Sequence, residues 1–201
     1  MKTLYLVDAV NFLFRSYYAI RNMTNPQGVS TNALFGFIRS IYKIIEDFSP
    51  DYVVAVFDGP DNKKARTELY ADYKKHRKAM PEDLVPQLMR SIEWCELAGI
   101  PALSIPGVEA DDTLGSIALW AEKQGIKTFI CSSDKDLCQL VSDKIFLVHP
   151  HKENAIIDKK GWKSYLVSRL NRWSTTWQLQ EMHPIIFQGL RGLDQKQPPN
   201  C

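Results

Sequence analysis

Four short apolar runs along the chain predict buried β-strands. They cover residues 3–7, 52–57, 127–131 and 145–148. Each run is apolar almost throughout and does not alternate between polar and apolar positions. Strands of this kind are typical of the centre of a parallel sheet, where both faces of every strand are covered.

Between these runs, apolar residues recur every three or four positions, which predicts helices over residues 31–47, 82–98 and 110–124. A further helix is expected directly after Asp8. Their predicted buried faces carry Leu34, Phe37, Ile38, Ile41, Ile44 and Ile45, then Leu84, Leu88, Ile92, Cys95 and Leu97, then Leu114, Ile117, Ala118 and Trp120. The alternation of strands and helices predicts an α/β domain with a central, mostly parallel sheet flanked by helices.

Acidic residues stand where three of the predicted strands end and where one helix begins. Seven are involved: Asp8, Asp58, Glu109, Asp111, Asp112, Asp134 and Asp136. Ligands of open α/β sheets bind beyond the carboxyl ends of the strands, so these side chains are expected at one site. Any one of them has a simpler interpretation as a turn residue, a helix cap or a partner of the helix dipole.

Taken together, the seven acids favour a metal centre, because carboxylates at one sheet edge repel one another unless cations neutralise them. Mg²⁺ or Mn²⁺ would suit a site built only from oxygen ligands. Two such ions roughly 4 Å apart can activate a water molecule and stabilise the leaving oxygen of a phosphodiester. The acids therefore predict a metal-dependent nuclease.

The segment over residues 60–81 is basic and aromatic. It contains Lys63, Lys64, Arg66, Lys74, Lys75, Arg77 and Lys78 together with Tyr70 and Tyr73. A solvated, charged helix face is one interpretation. Beside an acidic metal site, a clamp for phosphates is the other, since lysine and arginine neutralise the backbone and tyrosines stack on unpaired bases. Arg15 would be a further phosphate contact or a helix cap.

Composition adds limits to this picture. The chain has 201 residues, enough for one domain, and a net charge of +2, which by itself does not indicate nucleic acid. Its four cysteines form no C-x-x-C pair, which favours a reducing compartment. We find no signal peptide and no apolar run near the roughly 18 residues of a membrane span. We expect a cytoplasmic monomer with no membrane partner.

Five segments carry a resemblance to a known family. They are LVDAVNFLFRSYYA (6–19), AVFDGP (55–60), ELYADYKKHRKAMPEDL (68–84), PGVEADDTLGSIA (106–118) and SSDKDLCQLV (132–141). In this order they closely resemble the 5′-nuclease domain of bacterial DNA polymerase I, a member of the flap endonuclease superfamily with a PIN-like fold. The resemblance covers about residues 1–161.

This resemblance implies Mg²⁺-dependent 5′-3′ exonuclease and flap endonuclease activity on DNA in primer removal and repair, including RNA-primed 5′ ends. It assigns all seven acids to a catalytic cluster that holds two metal ions. It also implies a helical arch at about residues 62–82, which the 5′ single strand threads. Within the arch, Lys74 and Arg77 are implied to be catalytic, and Tyr73, Lys74, Lys75 and Arg77 are implied to contact DNA. Arg15 and Arg66 match phosphate-contacting positions.

Residues 162–201 depart from the family. A G-D-x-S-D-N-I-P-G segment that supplies two more acids and opens a helix-hairpin-helix-like motif is absent, and three of the five tryptophans stand here with only Glu181 and Asp194 as acids. Back-translation with a one-base shift permits DASDNIPGLEGFGPKTA, and the step from Met182 to His183 then encodes alanine. We therefore hypothesise a frameshift near Gly161, which leaves an aberrant tail that is expected to be loosely packed or disordered.

The predicted consequence is an active-site scaffold with a weaker second metal site and less affinity for duplex DNA, so that activity is impaired. Two alternatives stay open. One is a PIN-type ribonuclease or another metal-dependent phosphohydrolase; a small phosphatase fits less well, because Asp8 is followed by Ala9 and Val10. The other is a non-catalytic, truncated product that binds DNA.

Overall fold

A single sheet forms the centre of the domain. The computed structural model describes residues 1–61, 80–149, 155–158 and 161. In this part of the chain six strands lie in the order β3-β2-β1-β4-β5-β6. Their bounds are β1 Thr3–Asp8, β2 Tyr52–Phe57, β3 Ala102–Ser104, β4 Lys127–Cys131, β5 Ile145–His149 and β6 Ala155–Ile157. All neighbouring strands are parallel except β5 and β6, which are antiparallel.

Helices cover both faces of this sheet. They are α1 Ala9–Ala19, α2 Asn32–Phe48, α3 Val85–Leu97 and α4 Ala110–Lys123, together with a short 3₁₀ helix at Asp136–Leu140. The core on one face joins the sheet to α1, α2 and α3, and the core on the other joins it to α4 and the 3₁₀ helix. The predicted α/β domain with a mostly parallel, helix-flanked sheet is confirmed.

Strand β1 shows why an unbroken apolar run belongs at the centre. Tyr5 and Val7 enter one core, while Leu4 and Leu6 enter the other. Because helices cover both faces, successive side chains of the strand are all removed from water. The four predicted strands are confirmed to within one residue, whereas β3 and β6 were not predicted.

Two residues assigned to buried helix faces are exposed instead. Leu97 is 89% exposed and Ile45 is 37% exposed. Leu97 is the last residue of α3 and stands two positions after the buried Cys95, which is about 200° around a helix. Ile45 directly follows the buried Ile44, so it points about 100° away from the core.

Helices α1 and α2 approach each other closely at Gly36. A Cβ atom at this position would lie 2.4 Å from the hydroxyl oxygen of Ser16. Only glycine therefore permits this contact without displacement of one helix. This close packing against α2 helps to fix the position of α1, the helix that begins directly after Asp8.

A buried polar network joins α3 to the start of α2. The side-chain oxygen of Gln87 accepts hydrogen bonds from the backbone N–H groups of Ala33 (2.9 Å) and Leu34 (3.1 Å). Its amide donates to Asn32 Oδ1 at 3.1 Å, and Asn32 donates onward to the carbonyls of Tyr17 and Ile20. Gln87 thus satisfies backbone donors at the start of α2 that have no partner within the helix.

Just before α3, Asp83 makes two further cross-links. Its carboxylate accepts hydrogen bonds from the hydroxyls of Tyr17 at 2.7 Å and Ser30 at 2.9 Å. The chain that enters α3 is therefore fastened to α1 and to the loop before α2.

Parts of the predicted domain organisation lie outside the described residues. These are residues 62–79 of the expected arch and the tail over 162–201. Residues 80–82, which complete the expected arch, are not helical. Across the described residues, no helix combines the length and the apolar character required to cross a membrane.

Candidate metal centre

Three aspartates follow three adjacent parallel strands at the same edge of the sheet. Asp8 ends the central strand β1, and Asp58 directly follows β2 on one side of it. Asp134 comes three residues after the end of β4 on the other side. The strand registers pair Asp8 with Val56 and Val7 with Cys131, so the three chain segments leave the sheet at nearly the same level. The three strand ends thus place these residues at the same edge of the sheet.

Asp8 is the most enclosed of the three, with 5% of its surface exposed. Its Oδ1 accepts a hydrogen bond from the backbone N–H of Asn11 (3.2 Å), and its Oδ2 accepts one from the hydroxyl of Ser132 (2.7 Å). Burial raises the pKa of Asp8 to about 6, against the opposing effect of these two hydrogen bonds and with a further rise from the charges of Asp58 and Asp134. A cation nearby would favour the ionised carboxylate.

Asp8 is therefore both a helix cap and a member of an acidic cluster. It is the N-cap residue of α1, and its bond from Asn11 is the capping interaction. The simpler interpretation of this residue is correct. It does not exclude the metal-site interpretation, because a carboxylate has about four lone-pair positions and the two hydrogen bonds occupy one on each oxygen.

Asp58 is exposed and is held against the start of α4. Its Oδ1 accepts a hydrogen bond at 2.9 Å from the backbone N–H of Ala110, the first residue of that helix. Glu109, the N-cap residue of α4, is only 3% exposed. The end of β2 and the start of α4, two of the places where acidic residues were predicted to meet, are thus joined directly by a hydrogen bond.

Backbone hydrogen bonds fasten the loop after β2 to the loop before α4. Gly59 N–H donates to the carbonyl of Val108 (3.1 Å), and Gly107 N–H donates to the carbonyl of Pro60 (2.8 Å). At Gly59 a Cβ atom would lie 1.7 Å from the carbonyl oxygen of Ile105, so the two loops meet without room for a side chain. These contacts fix Asp58 beside Glu109.

Asp111 and Asp112 lie in the first turn of α4, where Asp111 is partly buried and Asp112 is exposed. Negative charge is favourable at this end of a helix, so the dipole interpretation agrees with their position. Their predicted role as metal ligands stays a prediction.

Asp134 and Asp136 shape the turn that follows β4. Asp134 Oδ1 accepts a hydrogen bond from the backbone N–H of Asp136 at 2.9 Å, an arrangement typical of aspartate in turns. Asp136 begins the 3₁₀ helix and is exposed. The side chain of Asp136 therefore lies farther from the interior than that of Asp8.

The acids share an edge but do not form a closed coordination shell. In the described part of the chain, no three histidine, cysteine or acidic side chains are arranged so that they could hold a metal ion. The chemistry of the donors nevertheless fits Mg²⁺ or Mn²⁺, since the side chains at this edge are carboxylates. The complete ligand set stays a prediction.

Of the basic residues expected to contact DNA, the structure describes Arg15. It is exposed in the middle of α1, so the alternative in which it caps a helix end is wrong. Partial burial lowers the pKa of its guanidinium. The other predicted positions, which are Arg66, Tyr73, Lys74, Lys75 and Arg77, lie outside the described residues.

Sequence reasoning missed two polar residues at this edge, Asn11 and Ser132. Ser132 is fully buried and touches Asp8, while Asn11 Oδ1 accepts a hydrogen bond of 2.6 Å from the hydroxyl of Ser133. The signal that could have indicated them is the pair of serines directly after a buried apolar strand. A buried position there requires a hydrogen-bond partner for each hydroxyl.

Comparison with known proteins agrees with this architecture. Residues 3–166 match the family model of the 5′-3′ exonuclease N-terminal resolvase-like domain. A 5′-3′ exonuclease of Aquifex aeolicus is 39% identical over 165 residues, which are 82% of this chain and 57% of the relative. The thermostable DNA polymerase I of Thermus aquaticus is 35% identical over 192 residues, which are 95% of this chain and 22% of the relative. The chain thus spans about half the length of the first relative and less of the second.

Solved structures share the fold at lower identity. Two structures of the flap endonuclease of bacteriophage T5, one with metal ions and one with DNA and metal ions, superpose with TM-scores of 0.65 and 0.62. Their identities to this chain are 20% and 18%, and each comparison covers 82% of this chain and 60% of the other. Since the family model matches most of the chain and the fold presents acids at the expected sheet edge, the chain belongs to the 5′-3′ exonuclease family and carries its N-terminal resolvase-like domain.

Proposed function

We propose that this chain is the catalytic domain of a divalent-metal-dependent 5′ nuclease, which hydrolyses DNA phosphodiester bonds as a 5′-3′ exonuclease and flap endonuclease. The observation that carries the proposal is the position of Asp8, Asp58 and Asp134 at the ends of three adjacent parallel strands. Membership of the 5′-3′ exonuclease family supports the same activity.

The proposed cofactor is Mg²⁺, or Mn²⁺ in its place, with two ions in the complete site. The residues that would hold them are Asp8, Asp58, Glu109, Asp111, Asp112, Asp134 and Asp136. Bound ions would supply an activated water and would neutralise charge on the leaving oxygen. The T5 flap endonuclease structures that share this fold were crystallised with metal ions, which supports a divalent cofactor.

Hydrogen bonds within the chain hold the carboxylates of Asp8 and Asp58 in fixed orientations. Asp8 is oriented by donors on both of its oxygens, and Asp58 is oriented by the first N–H of α4. Helices α1 and α4 both begin at this edge, so the positive ends of their dipoles favour the carboxylates and an incoming phosphate. Such prearranged electrostatics lower the cost of bringing anionic DNA to an anionic site.

The proposed substrate is DNA with a 5′ end or a 5′ flap, including RNA-primed ends, handled by a monomer in the cytoplasm. Arg15 is exposed on α1, the helix that begins at Asp8, and is available for a phosphate contact. The basic segment that follows Asp58 would supply Lys74 and Arg77 for catalysis and Arg66, Tyr73 and Lys75 for strand binding. A complex of the T5 flap endonuclease with DNA supports this class of substrate.

Activity of this particular chain is proposed to be impaired. Residues 162–201 stand where the family is expected to place two more acids and a motif that grips the duplex. Fewer ligands weaken the second metal site, and a missing duplex contact weakens binding of the substrate. The chain is therefore expected to cut slowly even at saturating metal.

The test is single-turnover cleavage of a 5′-labelled flap DNA, with protein in excess over substrate and with Mg²⁺ or Mn²⁺. The proposal predicts slow, metal-dependent release of the flap, loss of this activity in Asp58→Asn, and no change in Asp51→Asn. Asp51 is a matched control, because it is an exposed aspartate just before β2, at the opposite end of the strand from Asp58.

Three outcomes contradict the proposal. Equal cleavage by Asp58→Asn would exclude the acidic edge as the active site. Faster cleavage of a single-stranded RNA competitor than of the flap would favour the PIN-type ribonuclease. Flap binding without cleavage in either metal would favour a non-catalytic DNA-binding product.

A further inference from the structure

Two serine hydroxyls join the end of β4 to the beginning of α1. Ser132 Oγ donates to Asp8 Oδ2 at 2.7 Å, and Ser133 Oγ donates to Asn11 Oδ1 at 2.6 Å. Asn11 returns to Asp8 through its backbone N–H, which donates to Asp8 Oδ1 at 3.2 Å. Both oxygens of Asp8 are therefore held by residues that are linked to the same turn.

The hydroxyl of Ser132 serves two acidic residues at once. Besides its bond to Asp8, Ser132 Oγ accepts a hydrogen bond of 3.0 Å from the backbone N–H of Asp134. A hydroxyl has a single proton to donate, so its direction is set: the proton points to Asp8 and a lone pair faces Asp134 N–H. Ser132 is completely buried, so water does not compete for either bond.

The Ser132 side chain extends the link between β1 and β4 beyond the point where their backbone pairing stops. The ladder between β1 and β4 pairs Val7 with Cys131, the last residue of β4. Beyond that pair, Ser132 Oγ bridges Asp8 to the backbone of Asp134. Ser132 is therefore the side chain that links Asp8 itself to the backbone of Asp134, while Ser133 links the same turn to Asn11.

We propose that Ser132 is a positioning residue that sets the orientation of Asp8 and its distance from Asp134, so that both carboxylates can bind the same metal centre. This inference rests on the proposed function. A hydroxyl is suited to the task because it orients a carboxylate without cancelling its charge, whereas a lysine or arginine donor would compete with the cation. Polar partners of metal ligands commonly act in this way.

The proposal is tested by metal binding and not only by cleavage. Mn²⁺ affinity is measured by electron paramagnetic resonance on the full chain, without DNA, for the natural chain and for Ser132→Thr, Ser132→Val and Ser132→Ala. Threonine keeps the hydroxyl of serine, and valine has nearly the same shape as threonine but lacks the hydroxyl. Ser40→Ala is the matched control, because the Ser40 hydroxyl bonds a helix carbonyl at Gly36 instead of an acid.

We expect Ser132→Val and Ser132→Ala to lose Mn²⁺ affinity by about ten-fold to a hundred-fold. Ser132→Thr and Ser40→Ala are expected to stay close to the natural chain. The Mn²⁺ concentration that gives half-maximal flap cleavage should rise in the same order, with recovery at high Mn²⁺. A role confined to folding would not produce this recovery. Circular dichroism establishes that each variant is folded. If the valine variant does not fold, the comparison is made with the alanine variant.

Unchanged Mn²⁺ affinity in a folded Ser132→Ala protein would overturn the inference and leave the proposed function intact. Equal losses in Ser132→Thr and Ser132→Val would also overturn it, since the hydroxyl would then be irrelevant. Absence of Mn²⁺ binding by the natural chain would overturn both the inference and the proposed function.

Discussion

Replacement of Asp8 by asparagine is expected to stabilise the fold while it removes activity. The carboxylate is almost completely enclosed, and burial is the main reason that its pKa rises from the ordinary 3.8 to about 6. Because about 1.4 kcal/mol corresponds to each pH unit between the folded and unfolded values, the ionised form costs the fold about 3 kcal/mol at neutral pH. Asparagine has nearly the same shape, carries no charge and can keep Oδ1 as the N-cap acceptor. Its NH2 group then replaces Oδ2, so the Ser132 hydroxyl loses its acceptor and part of the gain is offset.

The sign of the pH dependence follows from the direction of this shift. Below about pH 4, Asp8 is protonated in both states and carries no electrostatic cost. As the pH rises from about 4 to about 6, the unfolded chain has released this proton while the folded chain still holds it, so folding stability falls. Above that range both states are ionised and stability changes no further on this account. The advantage of Asp8→Asn should therefore be small near pH 4 and should grow to its full size above pH 7.

The assay is urea unfolding followed by circular dichroism, in a chelator, at several pH values between 4 and 8. Asp51→Asn is the control with the opposite sign, because hydrogen bonds from Thr3 lower the pKa of Asp51. Its loss should destabilise the fold at neutral pH, and this difference should shrink on acidification. An Asp8→Asn protein that is no more stable than the natural chain at pH 7.5, with a difference independent of pH, would refute the reasoning.

Addition of Mn²⁺ provides a second arm of the same experiment. An ion that binds the folded state raises stability by about 2.7 kcal/mol at a concentration 100 times its dissociation constant. The natural chain should gain stability from Mn²⁺, and Asp8→Asn should gain much less. The variant is therefore expected to be the more stable protein in chelator and the less responsive one in metal, a trade between stability and function.

Four further predictions concern the scaffold and the tail. Gly36→Ala should destabilise the fold by about 1–3 kcal/mol in urea unfolding, since its Cβ would lie 2.4 Å from Ser16 Oγ. Gly115→Ala, whose Cβ would meet Leu140 at 3.4 Å, should instead stabilise it by up to about 1 kcal/mol, and equal signs for the two would contradict this account. Gln87→Leu should cost about 2–4 kcal/mol by the same assay, because it strands buried N–H groups at the start of α2; a neutral effect would show that water replaces the amide. Finally, a one-base shift of the coding DNA from residue 162 onward should open a frame that encodes DASDNIPG, and the absence of such a frame would exclude the frameshift.

The layered architecture could be predicted from hydrophobic pattern alone because burial and periodicity are local properties of the sequence. The central strands are apolar on both faces, and the long helices repeat every three or four residues, so their types were evident. Strands β3 and β6 contain three residues each, too few to show any period. Strand β3 pairs with β2, which is remote in sequence, whereas β6 pairs with β5, the preceding strand.

The candidate site could be predicted as a set of acids but not as an arrangement. The sequence predicts the same role for Asp8 and Asp112 and does not distinguish their burial. In the fold Asp8 is enclosed and Asp112 is exposed. That difference depends on which strand end the helices cover. The paired serines after β4 indicate that buried hydroxyls there need partners. The bond between Ser132 and Asp8 joins residues 124 positions apart, however, so no local pattern identifies Asp8 as the partner.

The chain is held by hydrogen bonds on either side of residues 62–79, and these bonds bear on how such nucleases could vary in evolution. On one side, Gly59 and Pro60 are tied to the loop before α4, and on the other, Asp83 and Gln87 are tied to α1, α2 and the loop between them. Neither set of bonds involves the intervening segment. Evolution could therefore change this stretch, apart from the proposed catalytic residues Lys74 and Arg77, while Asp58 and α3 keep their positions at the two anchors.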